Sequence, residues 1–222
     1  MTKKGRCNMA TTERMTAHKI LTEMKLVEKR INKTVAEGVY CIANKHSNTK
    51  IDGMSIEEYK VKMQGDFDKA TAEIARYFAM KKALSLSNAV TKVTISGQEY
   101  TIAEAIAMKN HGVYHKQYLL DTLRTQYSAV QRTLAVKNGD ELDRRAEKYV
   151  IDLYGNNEDV KKGEAATQAK KQYIEQHSYD LIDKIGIVDR IAALEKEIDE
   201  FTSEVDAALS VSNALTEIEF TY

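Results

Sequence analysis

A twelve-residue segment that occurs twice constrains the fold of this chain more than any other feature. Residues 84–95 read LSLSNAVTKVTI and residues 209–220 read LSVSNALTEIEF; below, they are called the first and the second repeat. Six of the twelve positions are identical, and four more exchange one apolar residue for another. In each repeat a helical pattern leads into alternating, strand-like sequence. Because elements that end alike are often neighbours, we expect the two strand-like tails to share a small sheet.

The absence of proline favours long helices. Average usage would give about eleven prolines in a chain of this length, and the sequence has none. Apolar residues recur at helical spacing from Thr16, from Ser55, from Thr101 and again before the second repeat. The helix from Ser55, ~31 residues long, would span roughly 46 Å, more than a compact domain of this size needs. We therefore predict a mainly α fold: an elongated antiparallel helical bundle or coiled coil with a small β-sheet at one end.

The sequence also predicts how the chain is organised. Residues 1–13 lack periodicity and are expected to form a flexible N-terminal tail. Residues 14–222 are expected to form a single helical domain that contains both repeats. Strands are expected near residues 39–43, 91–95 and 216–220.

Short motifs mark several boundaries within that domain. Asp52-Gly53 is typical of a hairpin turn. Ser55 with Glu58, and Thr101 with Glu104, have the spacing of capping boxes at helix starts. The Asn-His-Gly sequence at residues 110–112 places a glycine inside the third helical pattern, and we expect a helix break there.

Composition restricts the classes of function. The chain has 33 basic and 33 acidic residues, and this balance argues against a sequence-specific nucleic-acid binder. Two cysteines are too few for a disulfide framework. The N-terminal residues lack the apolar core of a signal peptide, and no eighteen consecutive residues are apolar. We therefore expect a cytoplasmic protein that does not interact with membranes.

Motifs that would indicate catalysis are missing. The sequence contains no phosphate-binding loop, dinucleotide-binding glycine pattern, nucleophile elbow or zincin helix. His111 and His115 are four positions apart, but a metal site would need a further ligand from elsewhere. We predict a protein that is not an enzyme and that has neither a cofactor nor a metal site.

Clusters of polar residues define the candidate ligand site. Each cluster lies at a predicted end or break of a helix, where free backbone N–H groups and nearby Lys and His side chains can bind anionic oxygens. Asn and Ser also cap helices and form turns without any ligand, and this alternative stays open. The candidate ligand-binding residues are Asn44, Lys45, His46, Asn48, Asn88, Lys109, Asn110, His111 and Asn213.

Three phrases resemble known sequences: ANKHSN at residues 43–48, MKNHG at 108–112 and VDAALSVSNA at 205–214. They are similar to uncharacterised helical proteins carried by bacteriophages and prophages of Gram-positive bacteria. More remotely, the order of elements resembles the septicolysin-like family. The resemblance implies a phage setting, in the cytoplasm of a host cell, and it supplies no functional residues.

These observations lead to one principal hypothesis and two alternatives. The principal hypothesis is a non-catalytic, homo-oligomeric binding protein that sequesters a small anionic or nucleotide-derived immune signal of the host, an anti-defence role. Oligomerisation is expected because helices with a single apolar stripe leave surface for a partner copy to cover. The alternatives are a structural or assembly protein of the virion, and an enzyme with an unfamiliar site.

Overall fold

The computed structural model describes residues 10–157 and 163–222 of the chain. These residues are mainly helical, with small two-stranded antiparallel sheets, as the sequence predicted. The bundle or coiled-coil arrangement of the helices stays a prediction. The helices are α1 (Ala17–Glu37), α2 (Ile56–Val90), α3 (Ile102–Ala107), α4 (Val113–Lys137), α5 (Asp140–Tyr154), α6 (Glu164–His177) and α7 (Ile187–Leu215). The strands are β1 (Thr12–Thr16), β2 (Lys50–Ile51), β3 (Met54–Ser55), β4 (Lys92–Ile95), β5 (Gln98–Thr101) and β6 (Glu217–Thr221).

The chain packs as two compact units. Of the described residues, the first unit comprises those up to Asn110 together with Phe201–Tyr222, and the second comprises those between His111 and Glu200. The division falls within α7 and within a π-helical turn at Met108–Gly112. The single domain predicted for residues 14–222 stays a prediction, since division into compact units does not decide whether they unfold together.

Both repeats adopt the same local structure, in the first unit. Helix α2 ends in the first repeat, where the Thr91 N–H donates to the Ser87 carbonyl at 2.8 Å. Helix α7 ends in the second repeat, where the Thr216 N–H donates to the Ser212 carbonyl at 2.9 Å. The side-chain oxygens of the same residues lie 3.3 Å apart in the first repeat and 3.4 Å apart in the second. Identical Ser and Thr positions thus end both helices in the same way.

Each repeat strand pairs with a strand that leads into a helix. In the first repeat β4 pairs with β5, Lys92 lies opposite Thr101, and the Thr101 side chain caps α3. In the second repeat β6 pairs with β1, Glu217 lies opposite Thr16, and the Thr16 side chain caps α1. Ile102, which follows Thr101, donates its N–H to the Thr91 carbonyl at 2.9 Å. Ala17, which follows Thr16, donates its N–H to the Thr216 carbonyl at the same distance. The two motifs therefore match in register as well as in sequence.

The two motifs differ in how their strands are connected. Strands β4 and β5 form a hairpin whose turn residues, Ser96 and Gly97, both have positive φ, at 51° and 76°. These are the angles that a tight hairpin turn requires. Strands β6 and β1 instead come from distant parts of the sequence, with Thr12 and Thr221 separated by 209 positions. The prediction that the two repeat tails share one sheet is therefore wrong.

Equivalent positions of the two motifs are buried. Ala17 and Ile20 at the start of α1 match Ile102 and Ala105 at the start of α3, and all four are at most 2% exposed. The core around α1 packs its apolar face against α2 and β6; its buried members are Ala17, Ile20, Met24, Val27, Met80, Leu84, Ile218 and Phe220. Near the first repeat, the Tyr100 ring contacts the Phe201 ring edge-on, with centroids 5.7 Å apart. The duplication thus extends to the positions that hold each motif in place.

Other predicted boundaries are confirmed or corrected. The hairpin through Asp52-Gly53 forms between β2 and β3, and both predicted capping boxes are present. Residues 39–43 form no strand, although their composition favours one, because no other strand pairs with them. The Val39 N–H donates to Asp66 at 3.2 Å instead.

The predicted tail and helix break also change. Strand β1 begins at Thr12, so residues 12 and 13 do not belong to a flexible tail; residues 1–9 lie outside the described part of the chain. The helical pattern does not break at residues 110–112, because a π-helical turn accommodates the glycine and leads directly into α4.

Candidate functional site

A groove in the first unit lies where the two repeats approach each other. Its volume is about 520 Å³. One wall comes from the start of β4 and the other from the last turns of α7, and the lining residues are Thr91, Lys92, Val93, Thr94, Ala207, Ala208, Val211, Ser212, Leu215 and Thr216. The repeats are therefore neighbours in space even though their strands do not pair with each other.

Four polar residues of this groove, Thr91, Lys92, Ser212 and Thr216, have partners within the protein. The Ser212 and Thr216 hydroxyls lie 3.4 Å apart, and Thr91 contacts the Ser87 hydroxyl at 3.3 Å. The Lys92 ammonium donates to Glu99 at 2.7 Å, and this hydrogen bond raises the pKa of Lys92 above its ordinary value. The groove therefore offers mainly aliphatic surface, with one paired cation at its side.

Both repeats expose apolar side chains at the same positions. Leu86 is 61% exposed and its equivalent Val211 is 59% exposed; Val90 is 74% exposed and its equivalent Leu215 is 75% exposed. Val211 and Leu215 line the groove, and Val90 directly precedes the groove residue Thr91. We call Leu86, Val90, Val211 and Leu215 the junction surface. Its apolar residues are exposed in a matched pattern, at equivalent positions of the two repeats.

The strands next to the junction surface carry one ion pair per repeat, with opposite polarity. In the first repeat, Lys92 on β4 pairs with Glu99 on β5. In the second repeat, the position of Lys92 is taken by Glu217 and the position of Glu99 by Arg14, and these two also form an ion pair. The sign of each charge is therefore reversed between equivalent positions.

The candidate residues Asn44, Lys45, His46 and Asn48 lie in an exposed loop between α1 and β2. The Asn48 N–H donates to the Lys45 carbonyl at 2.9 Å, and the Asn48 side chain donates to Asn44 Oδ1 at 3.2 Å. These contacts within the loop are those of a polar turn.

The remaining candidates lie on helices. Lys109 forms an ion pair with Asp206, and Asn110 and His111 are exposed in the π-helical turn, on either side of the division between the units. Asn88 and Asn213 are half-buried at equivalent positions in the ends of α2 and α7, and neither lines the groove. The lining of the groove includes none of the nine candidate residues.

Metal ligands do not cluster in the part of the chain that the structure describes. Residues 10–157 and 163–222 contain no group of three His, Cys, Asp or Glu side chains placed to bind a metal ion. The His115 ring instead contacts the adjacent Tyr114 ring, with centroids 5.4 Å apart.

Four groups with shifted pKa values, Glu13, Glu23, Arg76 and Tyr222, form a cluster around Arg76 on α2, which we call the Arg76 cluster. Arg76 donates to both oxygens of Glu13, at 3.0 and 2.8 Å, and to Glu23 at 2.8 Å. The Tyr222 hydroxyl donates to Glu13 at 2.5 Å. Hydrogen bonds from Arg76 lower the pKa of both glutamates, and the carboxylates raise the pKa of Arg76. Because these groups bind one another, the Arg76 cluster connects β1, α1 and α2 rather than offering a free charge to a ligand.

The groove lies in the region that the repeat indicated, but its lining differs from the nine residues that the sequence selected, whose role as ligand-binding residues stays a prediction. The repeat pointed to the ends of α2 and α7, where it selected Asn88 and Asn213 for their polarity. The sequence did not single out the junction surface or Lys92. The two repeats have an apolar residue at the same two positions, Leu86/Val211 and Val90/Leu215. Aligning the repeats could have identified the junction surface from the sequence.

Comparisons with protein-family models, curated proteins and solved structures give no significant match. The resemblance to phage proteins therefore stays a prediction. No helix among the described residues is long and apolar enough to cross a membrane.

Proposed function

We propose that this protein is a non-catalytic binding protein that works as a homo-oligomer and associates through the junction surface. The observation that carries the proposal is the matched exposure of Leu86 with Val211 and of Val90 with Leu215. Single exposed apolar residues are common on protein surfaces. Four exposed aliphatic side chains at the ends of two helices, two of which line a groove, favour a contact surface.

The size of this surface suits association. Complete burial of a Leu or Val side chain contributes roughly 1.5–3 kcal/mol, and these four are about two-thirds exposed, so each would contribute roughly 1–2 kcal/mol. A symmetric pair of protomers would bury eight such side chains, for a gross gain of roughly 8–16 kcal/mol. Association costs roughly 4–15 kcal/mol. Complete burial of the junction surface would thus contribute a free energy of the same order as the cost of association.

The proposed ligand is a small anionic or nucleotide-like molecule, as the polar clusters of the sequence suggest. Lys45 and His46 lie in an exposed loop, where they are accessible to such a ligand. Lys109 would first have to leave Asp206. An assembly role in a virion would use the same junction surface without a small ligand.

Light scattering at micromolar concentration tests the proposal. We expect the parent protein to be a dimer or larger, and the double variant Val90→Ser/Leu215→Ser to be mainly monomeric. The control is Val61→Ser/Val136→Ser, which removes two residues of similar exposure, 73% and 69%, outside the repeats. The control should behave as the parent does. A monomeric parent would contradict self-association, and equal effects of both double variants would contradict the role of the junction surface.

A further inference from the structure

We propose that the protein forms a two-fold symmetric dimer in which the first repeat of each protomer packs on the second repeat of its partner. This inference rests on the self-association proposed above and specifies its geometry. Two-fold contacts are self-complementary: if one residue contacts a second on the partner, the second contacts the first in return. A surface built from two equivalent repeats provides both halves of such a contact.

The apolar residues permit this arrangement but do not select it. Leu86 and Val90 would meet Val211 and Leu215 of the partner, and exposed aliphatic groups of similar size would lie on both sides. A contact between two first repeats, or between two second repeats, would bury the same kinds of side chain. The choice between these pairings must come from groups that differ between the repeats.

The charges supply that difference. Lys92 follows Val90 by two positions, and Glu217 follows Leu215 by two positions. We take equivalent positions of the two contacting repeats to face each other. A contact between two first repeats then opposes Lys92 with Lys92 and Glu99 with Glu99, and a contact between two second repeats opposes Glu217 with Glu217 and Arg14 with Arg14. Only the mixed contact opposes Lys92 with the partner's Glu217 and Glu99 with the partner's Arg14. Like charges across an interface suppress the wrong pairing, so the reversed ion pairs favour the mixed contact.

The charged side chains can take part because they remain accessible. The side chains of Lys92 and Glu99 are each 60% exposed, and those of Arg14 and Glu217 are 66% and 53% exposed. Each ion pair is satisfied within its own protomer, so no charge loses its partner in the monomer. In the dimer, each pair would lie beside a pair of opposite polarity.

Cysteine cross-linking tests the pairing directly. In a Cys7→Ser/Cys41→Ser background, one protein carries Val90→Cys and a second, size-tagged protein carries Leu215→Cys. After the two are mixed under mild oxidation, we expect 90–215 disulfides to exceed 90–90 and 215–215 disulfides about tenfold, because a disulfide requires Cα atoms within roughly 7 Å. Predominant 90–90 or 215–215 products would overturn the proposed pairing. A monomeric background protein would instead refute self-association itself.

Charge reversal tests the selecting interaction. Lys92→Glu with Glu99→Lys keeps the ion pair of the first repeat but gives it the polarity of the second. We expect the dissociation constant of the dimer to rise about threefold to tenfold at low salt. Adding Glu217→Arg and Arg14→Glu reverses the second repeat as well, and this should restore the dissociation constant to within about threefold of the parent value. If the dissociation constant of the double variant equals that of the parent, or if the quadruple variant does not restore it, charge does not select the pairing.

Discussion

Replacing Arg76 with methionine tests the strongest polar contact of the first unit. Methionine keeps most of the apolar stem of Arg76 but leaves the carboxylates of Glu13 and Glu23 without their shared cation. Charge-assisted hydrogen bonds contribute roughly 1.5–3 kcal/mol each. The side chains involved are 18–25% exposed, so water would replace part of what is lost. We expect Arg76→Met to lower the free energy of unfolding by about 2–3 kcal/mol and the Tm by about 4–12 °C.

Arg30 provides the matched control, because it donates to the same oxygen of Glu23 at the same distance of 2.8 Å. Its side chain is 52% exposed, and exposed ion pairs contribute at most about 1 kcal/mol. Chemical denaturation of Arg76→Met and Arg30→Met measures both losses. If the two variants lose equal stability, or if Arg76→Met loses less than about 1 kcal/mol, burial does not strengthen the Arg76 cluster as argued.

The dependence on pH gives this prediction a second readout. Hydrogen bonds from Arg76 hold the pKa of Glu13 and of Glu23 below the ordinary value of 4.5 in the folded protein. The unfolded state therefore binds more protons over this range, and the contribution to stability is complete above about pH 4.5 and is lost as the pH falls through the folded pKa values. The difference in stability between the parent and Arg76→Met should be constant near pH 7 and should shrink as the pH falls below about 4. A difference that grows on acidification would refute the assignment.

Two further predictions concern the backbone and the ligand. Gly97→Ala should destabilise the protein by about 1–2 kcal/mol because φ is +76° at this position. Gly65 lies within α2 with open space around it, so Gly65→Ala should stabilise the protein by up to about 1 kcal/mol. Thermal unfolding of both variants checks the two predictions, and a change of the same sign in both would contradict the reasoning. If the protein binds a small anion, a thermal-shift screen with nucleotides should detect it, and Lys45→Ala and Lys109→Ala should each weaken the response about tenfold or more. If both variants show the thermal shift of the parent, Lys45 is only part of a polar turn and Lys109 only part of an ion pair with Asp206.

Local elements of the fold were predictable because their determinants lie within a few residues. The capping boxes at Ser55 and Thr101 and the hairpin turn at Asp52-Gly53 each depend on side chains or backbone angles that short motifs specify. The strand at the end of each repeat was predictable from its alternating sequence. Alternating sequence identifies a strand but not its partner, so the pairing of β6 with β1 could not be read from it.

The candidate site shows the same limit. Lys109 was selected as a ligand-binding residue from its polar neighbours in the sequence, but it forms an ion pair with Asp206, which lies 97 positions away. Residues 39–43 were assigned to a strand from their composition, although no other strand pairs with them. In both cases, the local sequence suggested an interaction, whereas the actual partner is a residue distant in the sequence: Asp206 for Lys109 and Asp66 for Val39. The exposure of Val90 and Leu215 likewise depends on which faces of α2 and α7 the rest of the unit covers.

The pairing of β1 with β6 also sets an order of events during synthesis. Thr12 reaches the ribosome exit long before Thr221, 209 positions later, and at ordinary rates of translation the interval is roughly 10–40 s. The β4–β5 hairpin can close as soon as its own residues emerge, whereas Ile20 and its neighbours on α1 lack Ile218 and Phe220 throughout that interval. The nascent chain therefore carries an incompletely covered apolar helix while most of the protein is made, and uncovered apolar surface of this kind favours aggregation until β6 pairs with β1.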